Sequence, residues 1–387
     1  MSKSLQASII INNYNYGRFV GEAIESALRQ TYENTEVIVV DDGSTDDSRD
    51  VIRGFGSKVK PIFKENGGQG SAFNAGFKIS AGDFACFLDA DDKLTATAME
   101  ESAKSFSDTE AVLVEWRLHV IDEAGLRKGR VIPERPLPCE NLRELTIRNG
   151  PFYDWLITPP SSGNCYRRRF LEQVFPVPEQ PYRHGADVYL TILAPIYGRV
   201  HRVAEPQAEY RQHGRNNYYG RSLGEDRLRD YLQRFEDCCV QLAKHLERQG
   251  VEPDVQAWRA RNYNFLWPQR LLEAKKDLEK LLPPGAGYAL INNGEWEGED
   301  LIVSRHAVHF LERDGEYWGE PVDDDQAIQE LDRLRQAGTT FLVIWWTAFW
   351  WLDVFPIFTE KLLSQARRVL DNDRVIVFEL LPQHIHA

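Results

Sequence analysis

Positive charge is scarce in this 387-residue chain, where 46 Lys and Arg face 59 Asp and Glu for a formal net charge of −13. That balance argues against a nucleic-acid surface, which needs a basic stripe to neutralise phosphates. The cluster Arg167, Arg168 and Arg169 is too short to supply one. Cysteine is scarce too: Cys86, Cys139, Cys165, Cys238 and Cys239 are five, an odd number, with no CxxC spacing. Neither a disulfide framework nor a zinc site follows from them, and Cys86 reads as a small core residue. The apolar run near the N-terminus, broken by Asn12 and Asn13, is too short for a signal peptide, so a cytoplasmic enzyme is expected. The stretch 341–358, FLVIWWTAFWWLDVFPIF, is interrupted by Thr347, Asp353 and Pro356. A strand, a turn and a buried helix explain it better than a membrane span, while a peripheral membrane contact or a carbohydrate-stacking surface at Trp350 and Trp351 stays open.

What the chain does have is apolar substance, 42% hydrophobic and 11% aromatic, enough for one large core and a second smaller one. The first hundred residues alternate strand and helix patterns. Ser8–Asn12, Glu36–Val40, Val59–Lys64 and Phe84–Leu88 are short β-branched or aromatic runs, the first three each followed by a turn and a helical segment. This rhythm predicts an α/β fold with a mostly parallel sheet. Ala111–Val120 reads as another strand with a hairpin turn after it, 133–138 as an irregular excursion, and 150–163 as a loop of the kind that closes over a cleft. Polar amphipathic helices are expected over 222–283. Pro283-Pro284-Gly285 then precedes a small α/β domain, with strands at Ala289–Ile291, Leu301–Val303, Thr339–Trp346 and Arg374–Phe378 and a helix at Asp324–Gln336. The expected domains are therefore 1–221, a helical connector 222–284, and 285–387.

The most informative stretch is FACFLDADD, where a buried strand empties into Asp89, Asp91 and Asp92. Carboxylates this crowded repel one another unless a cation lies between them, and oxygen ligands suit Mg²⁺ or Mn²⁺ carrying a diphosphate. Strand ends of an open α/β sheet are where such ligands are held. Tyr14, just past the first strand, can stack on a base, and Asp41 and Asp42, past the second, can accept from ring N–H or ribose hydroxyls. Asp-rich strand ends also serve as turns and helix caps, so a purely structural reading stands beside this one.

Taken together, SIIINNYNYGRFVGEAIESALRQTY, EVIVVDDGSTDDS and FLDADD, in this order and spacing, resemble the family 2 glycosyltransferases of GT-A fold over roughly residues 5–220. The resemblance implies a soluble, non-processive, inverting enzyme that uses Mn²⁺ or Mg²⁺ and a nucleoside-diphosphate sugar, with a carbohydrate, lipid-linked or protein acceptor. It further implies that Tyr14, Asp41, Asp42, Asn66, Gly67, Asp89 and Arg211 contact the donor, and that Asp91, Asp92 and His213 serve the metal. Asp187, in GADVYLTI, matches the family's general base, although Ala186 stands where Glu is usual. Ser161, Ser162, Gly163 and Asn164 match the loop near the acceptor. Phe73 replaces an arginine that many relatives carry, and Arg211 is the expected substitute cation. A non-catalytic nucleotide-sugar or glycan-binding protein and a sugar nucleotidyltransferase are the alternatives, the second disfavoured because NNYNYGRF lacks its Gly-rich basic signature. The C-terminal domain is expected to bind acceptor, to mediate oligomer contacts or to dock a partner.

Overall fold

The computed structural model describes residues 4–134, 141–152, 158–214, 225–292, 306–313 and 316–382. The predicted strand Leu301–Val303 and the residue Cys139 lie outside this range. The chain divides into two compact units, one of 1–221 with 233–266, the other of 222–232 with 267–387.

The first unit is built on nine strands: β1 Ala7–Asn13, β2 Thr35–Asp42, β3 Lys60–Lys64, β4 Phe84–Asp89, β5 Lys93–Leu94, β6 Ala111–Ile121, β7 Arg127–Ile132, β8 Asn164–Arg167 and β9 Arg199–Arg211. They run in the order β3-β2-β1-β4-β8-β6-β9-β5, with β7 hairpinned onto β6. β1 pairs in parallel with β2 and β4, β2 with β3, and β6 with β9, whereas β8 is antiparallel to both of its neighbours. The α/β expectation holds, with six of the long strands pointing one way.

The central strands are continuous apolar runs because both sheet faces are covered. Ile10, Ile38, Val40, Phe73 and Phe87 pack on one face with Leu190 and Leu193 of the helix Ala186–Tyr197. Ile9, Ile11, Val37, Val39, Cys86 and Leu88 pack on the other with Val20, Ala23 and Ile24 of the helix Gly17–Leu28. Phe73, at the position of the missing arginine, is fully buried and stacks on Phe87 with ring centroids 4.1 Å apart. Such a pair adds about 0.5–1.5 kcal/mol beyond the burial itself. β8 and β9 carried no clear period in the sequence, since β8 is four residues long and β9 is only partly buried.

The helical stretch expected as a connector is not a third unit. Its helix Glu225–Arg248 is divided after Leu232, and its helix Tyr263–Leu281 after Leu266. The reason lies in the apolar faces: Phe235, Cys238, Leu242 and Leu246 join the first unit's core, while Leu271, Leu272 and Leu278 pack under the C-terminal sheet. That sheet comprises Gly287–Ile291 (β10), His306–His309 (β11), Phe341–Trp345 (β14), Ala366–Asp371 (β15) and Val375–Leu380 (β16), in the order β11-β10-β14-β16-β15, with a two-stranded ribbon of Glu312–Arg313 (β12) and Glu316–Tyr317 (β13). The Trp-rich run forms β14, a short 3-10 turn and two helices, Trp351–Val354 and Pro356–Gln365, with Trp345 and Trp351 in the core. Among the described residues, no helix is long and apolar enough to cross a membrane.

Candidate functional site

Strand register brings the sequence motifs together at the carboxyl ends of the parallel strands. Asn12 of β1 lies opposite Asp89 of β4, and Asn13 opposite Asp41 of β2. A cavity of about 440 Å³ opens there, its walls including Asn12, Asn13, Tyr14, Asp42, Asn66, Gln69, Asp89, Asp91, Ser161, Arg183 and Asp187. Tyr14, 47% exposed, stands in the cavity lining.

Asp42, the last residue of β2, reaches the cavity and helps to shape the loop that follows β3. It accepts from Gly67 N–H at 3.0 Å, Gly68 N–H at 2.6 Å and Lys64 Nζ at 2.6 Å, and Asn66 Nδ2 donates to its carbonyl at 3.0 Å. Two glycines make this approach possible. Gly43, at φ +85°, would bring a Cβ within 2.6 Å of Asn66 N, and Gly68, at φ +87°, would bring one within 2.5 Å of the Arg183 carbonyl. Gly67 therefore contributes an N–H to Asp42 and does not itself wall the cavity.

Asp89 accepts from Asn12 Nδ2 at 2.8 Å and from Gln69 Nε2 at 3.3 Å. Burial, reinforced by Asp91 and Asp187, pushes its carboxyl up to about 7. Burial also raises Asp187, which sits in the first turn of its helix. Asp91 faces the cavity, and His213 Nε2 lies 3.0 Å from its Oδ2. The phenols of Tyr16 and Tyr210, both lining the cavity, are raised chiefly by burial and then by the carboxylates beside them. Among the described residues, Asn12 Oδ1 and Asn13 Oδ1 are buried acceptors without a hydrogen-bond partner. In a cavity wall, such atoms suit a ligand carrying hydroxyl or N–H donors.

Several expected site residues turn away. Asp41 is fully buried, accepting from Arg49 Nε at 2.7 Å, Asn13 Nδ2 at 3.0 Å and Ser44 N–H at 3.1 Å, so it braces the loop and does not line the cavity. Asp92, 1% exposed, accepts from Ser162 Oγ at 2.7 Å and Arg211 N–H at 2.9 Å, tying the acidic turn to its neighbours, and does not line the cavity. Arg211 is not the substitute cation: its side chain is fully buried and donates to the Asp91 carbonyl, the Glu123 carbonyl and Glu22 Oε2 at 2.8–2.9 Å. Of the acceptor loop only Ser161 reaches the cavity. Ser162 is spent on Asp92, Gly163 packs against Pro159, and Asn164 Nδ2 donates to the carbonyls of Pro159 and Pro160 at 3.1 and 2.9 Å.

Two residues that sequence reasoning passed over stand in the wall. Arg183 bonds Asn66 through its guanidinium at the Asp42 end. Gln69 spans the cavity floor from Asp89 and Ser161 to Gly185 and Ala186. Both sit in segments whose sequence shows only glycines and a lone basic residue, so no local signal marked them. A larger hollow of about 700 Å³ lies at the start of β9, but its Arg199 and His201 share Asp108 and its Arg202 is paired with Glu115.

The family model described as Glycosyl transferase family 2 matches residues 8–175. An uncharacterized glycosyltransferase of Nostoc sp. is 38% identical over 218 residues, covering 55% of this chain and 67% of that protein. The chain belongs to glycosyltransferase family 2. This family 2 glycosyltransferase is also 30% identical over 152 residues to GlyG of Streptococcus pneumoniae, covering 38% of this chain and 50% of GlyG. It is 36% identical over 118 residues to the Escherichia coli UDP-Glc:alpha-D-GlcNAc-diphosphoundecaprenol beta-1,3-glucosyltransferase WfaP, covering 30% and 47% of the two chains. It thus spans about half the length of either. Among solved structures, S. aureus TarS with UDP-GlcNAc overlaps 72% of this chain and 82% of its own, at 18% identity and a TM-score of 0.47. The GT-A fold of the family 2 glycosyltransferase rests on its strand order and family, not on so loose an overlap.

Among its described residues no group of three or more His, Cys, Asp or Glu is spaced to hold a metal by itself. Asp91 with His213 nevertheless fits a divalent ion whose remaining ligands are phosphate oxygens, because a carboxylate oxygen and an imidazole nitrogen already meet at 3.0 Å.

Proposed function

We propose that this glycosyltransferase moves a sugar from a nucleoside-diphosphate sugar to a hydroxyl acceptor, with a divalent cation and with inversion. The observation that carries the reading is the convergence of Asp42, Asp89, Asp91 and Asp187 on one cavity with unsatisfied Asn12 and Asn13 oxygens in its wall. Catalysis is assigned to the first unit.

In this reading Tyr14 stacks on the base, Asp42 and Asn66 accept from base or ribose, and Asp89 holds ribose hydroxyls. Arg183, beside Asn66, supplies the positive charge that Phe73 does not. Asp91 and His213 would hold Mn²⁺ or Mg²⁺, which when bound neutralises the departing diphosphate. The raised carboxyl of Asp187 makes it a stronger base than an exposed aspartate. It takes the acceptor's hydroxyl proton as that oxygen bonds the anomeric carbon and the bond to diphosphate breaks on the opposite side. Ser161 is the acceptor contact. The acceptor class proposed is a polysaccharide, glycolipid or glycoprotein hydroxyl, met in the cytoplasm or at the inner membrane face. The C-terminal unit would serve acceptor or partner contact.

A thermal-shift screen of nucleoside diphosphates with and without Mn²⁺ tests the donor side. One diphosphate should raise Tm by several degrees only with the metal, since ligands binding the native state stabilise it. Equal shifts without Mn²⁺, or none with any nucleotide, would overturn the reading.

A further inference from the structure

We propose that Gln69 is a positioning residue that fixes Asp187 relative to Asp89, using one side-chain amide shared between the two sides of the cavity. The inference rests on the transfer reaction proposed above. Gln69 opens the helix Gln69–Ile79, and its Nε2 donates to Asp89 Oδ1 at 3.3 Å and to Ser161 Oγ at 3.1 Å. Its Oε1 accepts from Gly185 N–H and Ala186 N–H, both at 2.9 Å. A neutral amide has two donor hydrogens and two acceptor lone pairs, so all four are used.

The helix bearing Asp187 has particular need of this partner. It starts after Gly185, at φ +80°, with no side-chain cap of its own. Its first N–H groups have no intrahelical acceptor and must be satisfied from outside. Gln69, more than a hundred residues earlier, does that for Ala186 and for the N-cap Gly185, while Val188 N–H donates to the Gly185 carbonyl; the N–H of Gln69 itself donates to the Arg183 carbonyl at 2.8 Å. The head of the base-bearing helix is therefore tied to the donor side of the cavity as well as to Gly185. Asp187 follows Ala186 directly, so a shift of that head carries the carboxylate with it. Misplacement of a reacting group by about 1 Å can cost on the order of 10²-fold in rate.

Two variants separate positioning from plain support. Gln69→Leu removes both halves of the bridge; Gln69→Glu keeps an acceptor at the helix head, where negative charge is favoured, and loses donation to Asp89 and Ser161. Hydrogen exchange of the peptide spanning 184–190 should quicken in Gln69→Leu and return toward wild type in Gln69→Glu. Transfer kcat should fall tenfold or more in both, while UDP and GDP titrations with Mn²⁺ move less than threefold in Gln69→Leu. A merely structural cap predicts that Gln69→Glu regains wild-type kcat, and that result overturns the proposal. Unchanged exchange in Gln69→Leu overturns it equally. If wild type transfers sugar from no sugar nucleotide, the functional reading fails instead, and the exchange comparison still decides whether Gln69 pins the helix head.

Discussion

His213 Nε2 lies 3.0 Å from Asp91 Oδ2, its ring edge-on to Tyr16 and tilted against Phe19. The last residues of the first unit's sheet region thus meet the acidic turn that follows β4, and an ion held by Asp91 has an imidazole within reach. Asp91→Ala is expected to abolish the Mn²⁺-dependent part of nucleotide binding, and His213→Ala to weaken it by tenfold or more, about 1.4 kcal/mol. Calorimetric titrations with and without Mn²⁺ check this; curves identical to wild type would remove both residues from the metal site.

Asp92 is expected to behave differently from its neighbour. Asp92→Ala removes the acceptor of Ser162 O–H and of Arg211 N–H in a site that is 1% exposed. A loss of about 1–3 kcal/mol in unfolding free energy follows from the buried donor left unpaired. Asp92→Asn, close in shape, should keep Mn²⁺-dependent binding within threefold; loss of that binding in a stably folded Asp92→Asn would restore Asp92 as a ligand.

Asp187→Asn should bind donor nucleotide as wild type does and lose roughly 10²-fold or more in transfer, the contribution typical of a positioned base. Single-turnover kinetics at saturating donor measure it. Transfer within a few-fold of wild type would reduce Asp187 to a helix-start residue.

Acid stability should carry the signature of His245. It is buried against the phenols of Tyr197, at 2.6 Å, and Tyr189, at 3.4 Å, and burial lowers its pKa to about 4. Between its unfolded pKa, about 6.5, and about 4, the unfolded chain binds a proton that the folded one does not. Its contribution is thus full above pH 6.5 and is lost as pH falls toward 4, by up to about 3 kcal/mol. Urea unfolding between pH 7 and 4.5 should show a shallower decline in His245→Gln; parallel curves would refute the assignment.

How much of this was legible beforehand varies with the range of the forces involved. Strand ends such as Val40-Asp41-Asp42 and Leu88-Asp89 announce themselves because an apolar run giving way to carboxylates is a local pattern, and burial of both sheet faces demands that run. The same pattern cannot say which of two adjacent carboxylates faces the cavity. Asp41 and Asp42 differ by one step along a strand, and successive side chains point to opposite sides.

The amino-acid order alone therefore determined the α/β rhythm, the family and the neighbourhood in which Tyr14, Asp42, Asp89, Asp91 and Asp187 gather. Tertiary structure alone decided that Asp41, Asp92 and Arg211 are tied up in internal hydrogen bonds, and that Arg183 and Gln69 enter the cavity wall. The Asp92 and Gln69 outcomes depend on hydrogen bonds between segments more than a hundred residues apart, and such a partner leaves no trace in local periodicity.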